Sequence, residues 1–218
     1  MFKIMLNKFF ALIILISLTP LFLFISILLF ISQGRPIFFS QRRVGKNHAI
    51  FYLYKFRTMK NNINGPEITE KNDKRITAIG KVLRKSKIDE LPQIINILIG
   101  NLNFVGPRPE VEKFVNEYDF SFLNKIKPGL TDFSSILFSR EEILLSKFGG
   151  VDYYDKILPV KLELIGHYIN IRNFWVDCKI LIFTVLGLIM PSLISATVKR
   201  EIYKKNPDLV DKITSIGL

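Results

Sequence analysis

The stretch FFALIILISLTPLFLFISILLFI, residues 9–31, is apolar except for Ser17, Thr19 and Ser26, and it has Pro20 near its middle. About 20 consecutive apolar residues are enough for a helix to span a bilayer. A cleaved signal peptide has a shorter apolar core and a small-residue cleavage site, and the sequence SQGRP that follows here has no such site. We therefore predict a retained N-terminal membrane anchor.

The path of this anchor through a membrane depends on its charged flanks and on Pro20. Cations lie on both sides of the apolar run, so the positive-inside rule gives no crossing direction; they are Lys3, Lys8, Arg35, Arg42 and Arg43. Proline removes one backbone donor and kinks helices. A re-entrant helix broken at Thr19-Pro20 would put both flanks on one face, whereas a kinked helix would cross once. The residues alone leave both paths open.

The composition combines an apolar chain with a strong positive charge. Hydrophobic residues make up 49% of the 218 residues, and 31 Lys and Arg outweigh 19 Asp and Glu to give a net charge of +12. Such a chain suits a membrane with anionic headgroups or an anionic ligand. Nucleic-acid binding is the other common explanation of this charge, and we rank it lower because of the anchor. The single Cys178 excludes an intrachain disulfide and fits a reducing compartment.

Beyond the anchor, short strand patterns and amphipathic helices predict an α/β domain. Residues 37–41 and 49–56 are β-branched or aromatic runs around a basic turn, as in a β-hairpin. Helices are predicted at 77–85, 91–99, 111–124 and 153–171, with a polar loop at 60–73. A second apolar run at 180–189 is too short to span a bilayer, so it is either an interfacial helix or a core helix. We divide the chain into an anchor at 1–33, a central domain at 34–198 and a basic tail at 199–218.

Two adjacent acids, Asp89 and Glu90, follow a cluster of cations and precede an amphipathic helix. Pro92 is tolerated in the first turn of a helix, so we expect this helix to begin near Asp89. A carboxylate there is held ionised by the helix N-terminus and by the preceding cations. It could attack phosphorus as a nucleophile or bind a hard cation such as Mg²⁺. Helix capping is the alternative, and it is the commoner role of an isolated acid pair.

Cations at structured positions favour phosphoryl transfer over capping. Lys55 and Arg57 end the second predicted strand, Arg84 precedes the acids, and Arg108 lies in a rigid Pro-Arg-Pro turn. Fixed guanidinium groups suit bidentate recognition of phosphate. The sequence contains no Ser-His-Asp order, zinc-ligand spacing or glycine-rich nucleotide motif of the usual kinds. An acid pair among several cations is typical of phosphoryl-transfer sites.

In several ordered blocks, the chain resembles the bacterial sugar transferases, also called small monotopic phosphoglycosyl transferases. The resemblance starts in the anchor with its central proline and covers most of the chain. Its other blocks include Gln33-Gly34-Arg35-Pro36, Gln41-Arg42-Arg43-Val44-Gly45, Tyr54-Lys55-Phe56-Arg57-Thr58-Met59, Asp89-Glu90-Leu91-Pro92-Gln93, Gly106-Pro107-Arg108-Pro109, Lys127-Pro128-Gly129-Leu130-Thr131 and Trp175-Val176-Asp177.

The resemblance implies a reaction. Asp89 would attack the sugar-linked phosphate of a UDP-sugar, release UMP and hold the phospho-sugar, which undecaprenyl phosphate would then accept. Asp89 would also contact the required Mg²⁺, and Glu90 would assist acceptor deprotonation or Mg²⁺ positioning. The residues implied to bind phosphate or headgroups are Lys55, Arg57, Arg84 and Arg108.

The resemblance also implies a place in the cell. Family members have a re-entrant anchor, which favours Thr19-Pro20 as the turn and puts the catalytic domain, 34–198, on the cytoplasmic face of the bacterial inner membrane. The implied task is the first membrane step of surface glycan assembly, such as capsule or O-antigen. No nucleic-acid partner is implied, a homodimer stays open, and the chain resembles the minimal catalytic unit. Residues 130–135 depart from the common family pattern, so the sugar cannot be carried over.

Two functions from other classes compete with the enzyme. A non-catalytic membrane adaptor in envelope polysaccharide assembly could keep the fold without turnover, but the intact Asp89, Glu90, Arg84 and Arg108 argue against it. A membrane-tethered nucleic-acid binder would present aromatic platforms alternating with cations. The aromatic residues here lie mostly in apolar runs instead.

Overall fold

The computed structural model describes residues 2–60, 73–139 and 150–216. These residues form two units, the first from residues 2–60 and 74–130 and the second from residues 73, 131–139 and 150–216. The described chain is mostly helical and contains two small two-stranded sheets. The prediction of an α/β domain is therefore confirmed in its coarser form. The predicted loop at 60–73 lies almost entirely outside the described residues.

The predicted anchor is a single helix, α1, Phe2–Gln33. Among the described residues, it is the one helix long and apolar enough to cross a membrane, and many of its apolar side chains are exposed. Pro20 lies inside α1, and the helix continues past it. The Thr19 hydroxyl donates to the Leu15 carbonyl oxygen at 3.0 Å, a local bond of the kind that bends helices. The re-entrant path through a membrane stays a prediction.

One face of α1 packs on the rest of the first unit along most of its length. Near its beginning, Asn7 Nδ2 donates to Asn103 Oδ1 at 3.0 Å. At its end, Gln33 Nε2 donates to the Arg57 carbonyl oxygen at 2.8 Å. Between these ends, two buried apolar clusters join α1 to the unit: Ala11 with Phe51, Leu53, Ile94, Ile97 and Leu102, and Ile25 and Leu29 with Phe56 and Leu83.

The other elements of the first unit are short. They are strands β1, Phe38–Val44, and β2, Ile50–Phe56; helices α2, Ala78–Lys85, and α3, Gln93–Ile99; strand β3, Asn103–Val105; helix α4, Glu112–Glu117; and strand β4, Gly129–Thr131. β1 and β2 pair antiparallel, so the predicted hairpin is confirmed. The pairing of β3 with β4 was not predicted, because three-residue strands are too short to show a period.

The free edge of β2 is covered by a side chain from α3. Asn96 is fully buried. Its Oδ1 accepts from the Tyr54 N–H at 3.0 Å, and its Nδ2 donates to the Tyr52 carbonyl oxygen at 2.7 Å. An uncovered strand edge invites pairing with other chains. Asn96 therefore protects the edge of β2 and also fixes β2 against α3.

Two predicted helix boundaries are wrong. Residues Ile88–Glu90 form a separate 3-10 turn, so α3 begins at Gln93 and not near Asp89. The helix predicted at 111–124 ends at Glu117 and is followed by a 3-10 turn, Ser121–Asn124. Asp119 accepts a hydrogen bond from the Ser121 N–H at 2.9 Å, and such local bonds compete with helix continuation.

The second unit is helical. Its described helices are α5, Phe133–Leu137; α6, Gly150–Ile171; α7, Phe174–Ile189; α8, Pro191–Tyr203; and α9, Pro207–Ser215. The buried Tyr168 hydroxyl on α6 donates to Asp177 Oδ1 on α7 at 2.7 Å. Leu209 and Ile213 of α9 are buried, so the segment predicted as a basic tail contributes to the core of this unit.

Helix α7 contains the second apolar run, and its exposure decides between the two alternatives for that run. Trp175, Val185 and Ile189 are 78%, 62% and 72% exposed, whereas Ile180 is fully buried. A core helix buries its apolar side chains. The core-helix alternative is therefore wrong, and the interfacial alternative stays a prediction.

Candidate functional site

The two acids singled out in the sequence lie in the 3-10 turn between α2 and α3. Lys87, just before this turn, has φ 58° and ψ 14°, a left-handed conformation that few residues other than glycine adopt. Helix α2 precedes Lys87 in the chain. Two residues hold this helix in place: Thr77, whose side chain caps its N-terminus, and Gly80. A β-carbon at Gly80 would lie 2.1 Å from the Thr58 carbonyl oxygen, so α2 meets the end of the hairpin at backbone contact.

Glu90 is held by two cations from distant parts of the first unit. Lys55 Nζ, on β2, lies 2.8 Å from Glu90 Oε1. Arg108 makes two bonds, from Nη2 to Oε1 at 2.5 Å and from Nη1 to Oε2 at 3.2 Å. The Glu90 side chain is only 14% exposed. Burial alone would raise the pKa of Glu90, but Arg108 and Lys55 hold it well below its usual range. Glu90 is thus a fixed carboxylate with both oxygens engaged.

Asp89, its neighbour in the chain, is in the opposite state. It is 6% exposed, and its Oδ1 has no hydrogen-bond partner among the described residues. Burial and the charge of Glu90 raise the pKa of Asp89 to about 6, against the pull of Lys55, Arg84 and Lys87. Near pH 7 this carboxyl is mostly ionised yet poorly solvated. A carboxylate oxygen in that state is a stronger nucleophile, and binds a cation more readily, than a carboxylate oxygen that is hydrogen-bonded to a helix N-terminus.

The turn that carries Arg108 is fixed by two glycines at a backbone crossing. A β-carbon at Gly129 would lie 2.2 Å from the Gly106 N, and one at Gly106 would lie 2.7 Å from the Lys127 carbonyl oxygen. The Gly129 N–H donates to the Pro107 carbonyl oxygen at 2.9 Å. Only glycine fits at either position, so this crossing sets where Arg108 meets Glu90.

The structure brings together most, not all, of the predicted site residues. Lys55, Arg84 and Arg108 surround the acids. Arg57 is buried, and its Nη2 donates to the carbonyl oxygens of Gln33 at 2.5 Å and Gly34 at 2.8 Å. Its described contacts therefore join the end of α1 to β2. Thr19 and Pro20, the predicted break of the anchor, are exposed on α1.

Sequence reasoning missed three residues that arrange this site, namely Asn96, Gly106 and Gly129. The two glycines stand beside prolines in the Gly106-Pro107 and Pro128-Gly129 pairs. These glycine-proline pairs indicated two turns, but they did not indicate that the backbones of the two turns are in contact. Asn96 lies on the buried side of an apolar helix, where a polar residue needs a partner. Its buried position could have indicated a structural hydrogen bond.

A metal ion at this site would have few protein ligands. Among the described residues, no group of three or more His, Cys, Asp or Glu side chains is arranged to hold one. Mg²⁺ commonly uses one or two carboxylates, with waters and substrate phosphates completing the shell. The unpartnered Oδ1 of Asp89 fits that role, whereas both Glu90 oxygens are already engaged.

Comparison with known proteins gives the family. Residues 1–191 match the family model described as bacterial sugar transferase. The chain is 34% identical over 197 residues, 86% of its length, to a UDP-glucose:undecaprenyl-phosphate glucose-1-phosphate transferase of Xanthomonas campestris pv. campestris, covering 38% of that protein. It is 32% identical over 174 residues, 77% of its length, to a UDP-N-acetylgalactosamine-undecaprenyl-phosphate N-acetylgalactosaminephosphotransferase of Aeromonas hydrophila, again covering 38%.

A shorter relative matches over more of its own length. The chain is 40% identical over 140 residues, 56% of its length, to an exopolysaccharide production protein of Sinorhizobium fredii, of which it covers 62%. It spans 38% of the length of the two relatives above. Since the family model matches well over half of the chain, this protein belongs to the bacterial sugar transferase family.

Proposed function

We propose that this protein transfers a sugar-1-phosphate from a UDP-sugar to undecaprenyl phosphate, releasing UMP, as the first membrane step of surface glycan assembly. The observation that carries the proposal is the contrast between two adjacent acids. Glu90 is pinned by Lys55 and Arg108, while Asp89 is buried with an unpartnered oxygen and a raised pKa. The names of the relatives, undecaprenyl-phosphate sugar phosphotransferases, support the same reaction.

The proposed reaction has two displacements at one phosphorus. In the first, an Asp89 carboxylate oxygen attacks the sugar-linked phosphorus of the UDP-sugar. The bond from that phosphorus to the bridging oxygen breaks, and UMP leaves. In the second, a phosphate oxygen of undecaprenyl phosphate attacks the same phosphorus, the bond to Asp89 breaks, and the lipid-linked diphosphate sugar forms. A covalent intermediate divides one difficult transfer into two easier ones.

Catalysis of phosphoryl transfer is mostly positioning and charge stabilisation. Lys55 and Arg108 are held in place by Glu90, so their charges are preorganised before substrate arrives. Arg84 and Lys87 act on Asp89 from the side of α2. We propose phosphate binding by Lys55, Arg84 and Arg108, and for Arg57 the role of a clamp on the end of α1. Because the pKa of Glu90 is low, we favour an ordering role for it over acceptor deprotonation.

We propose Mg²⁺ as the cofactor, held on the protein side by Asp89. When bound, it would neutralise negative charge on the diphosphate. The unpartnered Oδ1 of Asp89 supports this assignment. We also propose that α1 and the exposed apolar face of α7 associate with the inner membrane, with the catalytic residues on the cytoplasmic side.

The test is UMP release from a panel of UDP-sugars by the full chain in nanodiscs with undecaprenyl phosphate and Mg²⁺. Wild type is compared with Asp89→Asn and with Asp211→Asn, an exposed acid on α9. We expect release with one sugar by wild type and Asp211→Asn, none by Asp89→Asn, and a phospho-sugar mass on wild type without acceptor. Release by Asp89→Asn would refute the nucleophile. Absence of release with every sugar, together with normal polymer in Asp89→Asn cells, would favour the adaptor.

A further inference from the structure

Two lysines of the first unit, Lys8 and Lys127, lie at the end of α3 that is farther from the acid pair. Gly100 ends this helix in the left-handed conformation, with φ 105°, and its carbonyl oxygen accepts a hydrogen bond from Lys127 Nζ. A β-carbon at Gly100 would lie 3.4 Å from Cε and 3.7 Å from Nζ of Lys8, and 4.0 Å from Nζ of Lys127. The ammonium groups of Lys8, on α1, and of Lys127 therefore share one small region.

The positive charge of Lys46, in the hairpin turn, also acts on Lys127. Burial lowers the pKa of Lys127, and the neighbouring charges of Lys46 and Lys8 lower it further. Among the described residues, no carboxylate lies within 4.0 Å of any of these three ammonium groups. The end of α3 supplies only about half an elementary negative charge through its backbone dipole. Within that distance, and in the part of the chain that the structure describes, no side-chain carboxylate balances these three positive charges.

An exposed apolar surface starts directly beside this lysine cluster. Lys8 is followed on α1 by Phe9 and Leu12, which are 58% and 46% exposed. Leu12 is four residues after Lys8, so the two side chains lie on the same face of the helix. Cations next to an apolar surface match a molecule that has an anionic head and a hydrocarbon chain.

We propose that Lys8, Lys46 and Lys127 form a binding site for the phosphate headgroup of an anionic phospholipid. The acyl chains of this lipid would lie along the exposed side of α1. The site is separate from the acid pair, because the seven-residue α3 stands between them and is about 10 Å long. Its role would be to hold the N-terminal end of α1 at the level of the headgroups. It does not depend on the proposed reaction.

The test uses the full chain in uncharged detergent micelles, titrated with dioctanoyl phosphatidylglycerol while the thermal unfolding midpoint is followed. Each lysine near an anionic lipid surface contributes roughly fivefold in affinity. We expect a saturable rise in the midpoint for wild type, and about a hundredfold more lipid for the Lys8→Gln/Lys46→Gln/Lys127→Gln variant. Dioctanoyl phosphatidylcholine should produce no rise.

The matched control, Lys199→Gln/Lys204→Gln/Lys205→Gln, removes the same charge from the second unit and should titrate like wild type. An equal loss in this control would show diffuse attraction and refute the site. An equal rise with inorganic phosphate would show an anion site without lipid specificity, which also overturns the proposal. If the triple variant does not fold, Lys46→Gln alone, an exposed side chain, should weaken binding about fivefold. No change in that variant would refute the proposal.

Discussion

Replacing Asp89 with asparagine is expected to make the protein more stable while abolishing activity. Burial and Glu90 raise the pKa of this carboxyl from 3.8 to about 6. Each pKa unit corresponds to about 1.36 kcal/mol, so the ionised Asp89 costs the folded state about 3 kcal/mol at most. Asparagine has nearly the same shape and carries no charge. Above pH 6, Asp89→Asn should therefore unfold less readily than wild type.

The sign of the pH dependence follows from the direction of the shift. Because the folded-state pKa is above the unfolded value, the cost is fully present above about pH 6 and disappears as Asp89 takes up a proton between pH 6 and 3.8. The advantage of Asp89→Asn should fall from about 3 kcal/mol at pH 8 to about 1 kcal/mol at pH 4.5. In a protein of this size, 1 kcal/mol moves the unfolding midpoint by about 2–4 °C.

Glu90→Gln is the matched comparison at the adjacent position. It removes the partner of Lys55 and Arg108, which stay buried or half-buried without their counter-charge. Breaking a buried ion pair in this way typically costs about 3–5 kcal/mol. Because the pKa of Glu90 is lowered, its stabilisation is present above its unfolded value and is lost as pH falls through the folded one. The two substitutions should therefore shift stability in opposite directions at pH 8.

Thermal unfolding of both variants in the same detergent at pH 8 and pH 4.5 is the assay. Asp89→Asn should unfold about 6–12 °C above wild type at pH 8 and about 2–4 °C above it at pH 4.5. An Asp89→Asn variant that unfolds at or below the wild-type temperature at pH 8 would refute the assignment of Asp89 as an unfavourably buried charge. An equal gain at both pH values would refute ionisation as its cause.

Three further outcomes are expected. At limiting Mg²⁺, the kcat/KM for UMP release should fall as the pH drops below the raised pKa of Asp89, about 6, because the nucleophile must be ionised; a pH profile that falls only near pH 4 would contradict this. Gly129→Ala should lower UMP release at least tenfold through its clash with the Gly106 backbone, whereas Gly166→Ala, with no neighbour within 4 Å, should retain activity. Arg108→Lys, which loses the two parallel hydrogen bonds to Glu90, should lower kcat about tenfold or more. An Arg108→Lys variant with the kcat of wild type would show that these two bonds are dispensable.

The parts of the fold with a clear local pattern were predictable from the sequence. The β-branched and aromatic runs of the hairpin and the apolar run of α1 gave confirmed elements. The one-sided packing of α1 was not predictable, because a run apolar on every side hides the face that packs on Phe51 and Ile97. The 3-10 turn was missed for another reason: Lys87 adopts a left-handed conformation that its residue type does not indicate.

The candidate site, too, was predictable only in part from the sequence. The acid pair is visible as a motif, but the opposite states of Asp89 and Glu90 arise from partners 35 and 18 residues away. Pairings over such distances depend on the folded chain. Arg57 illustrates the limit, since a cation two residues after Lys55 was assigned to phosphate, and its described contacts are with the end of α1.

The attachment of α1 at both ends has a consequence for biosynthesis. Asn7 meets Asn103, 96 residues later in the chain, and the buried partners of Ala11 extend to Leu102. A ribosome adding about 5–20 residues per second needs roughly 5–20 s to make that intervening chain. During this interval the long apolar helix α1 exists without the surface on which it packs. Until then, a membrane or a targeting factor of the cell must cover the apolar surface of α1. A shortage of either should therefore cause aggregation at this stage, before the first unit can fold.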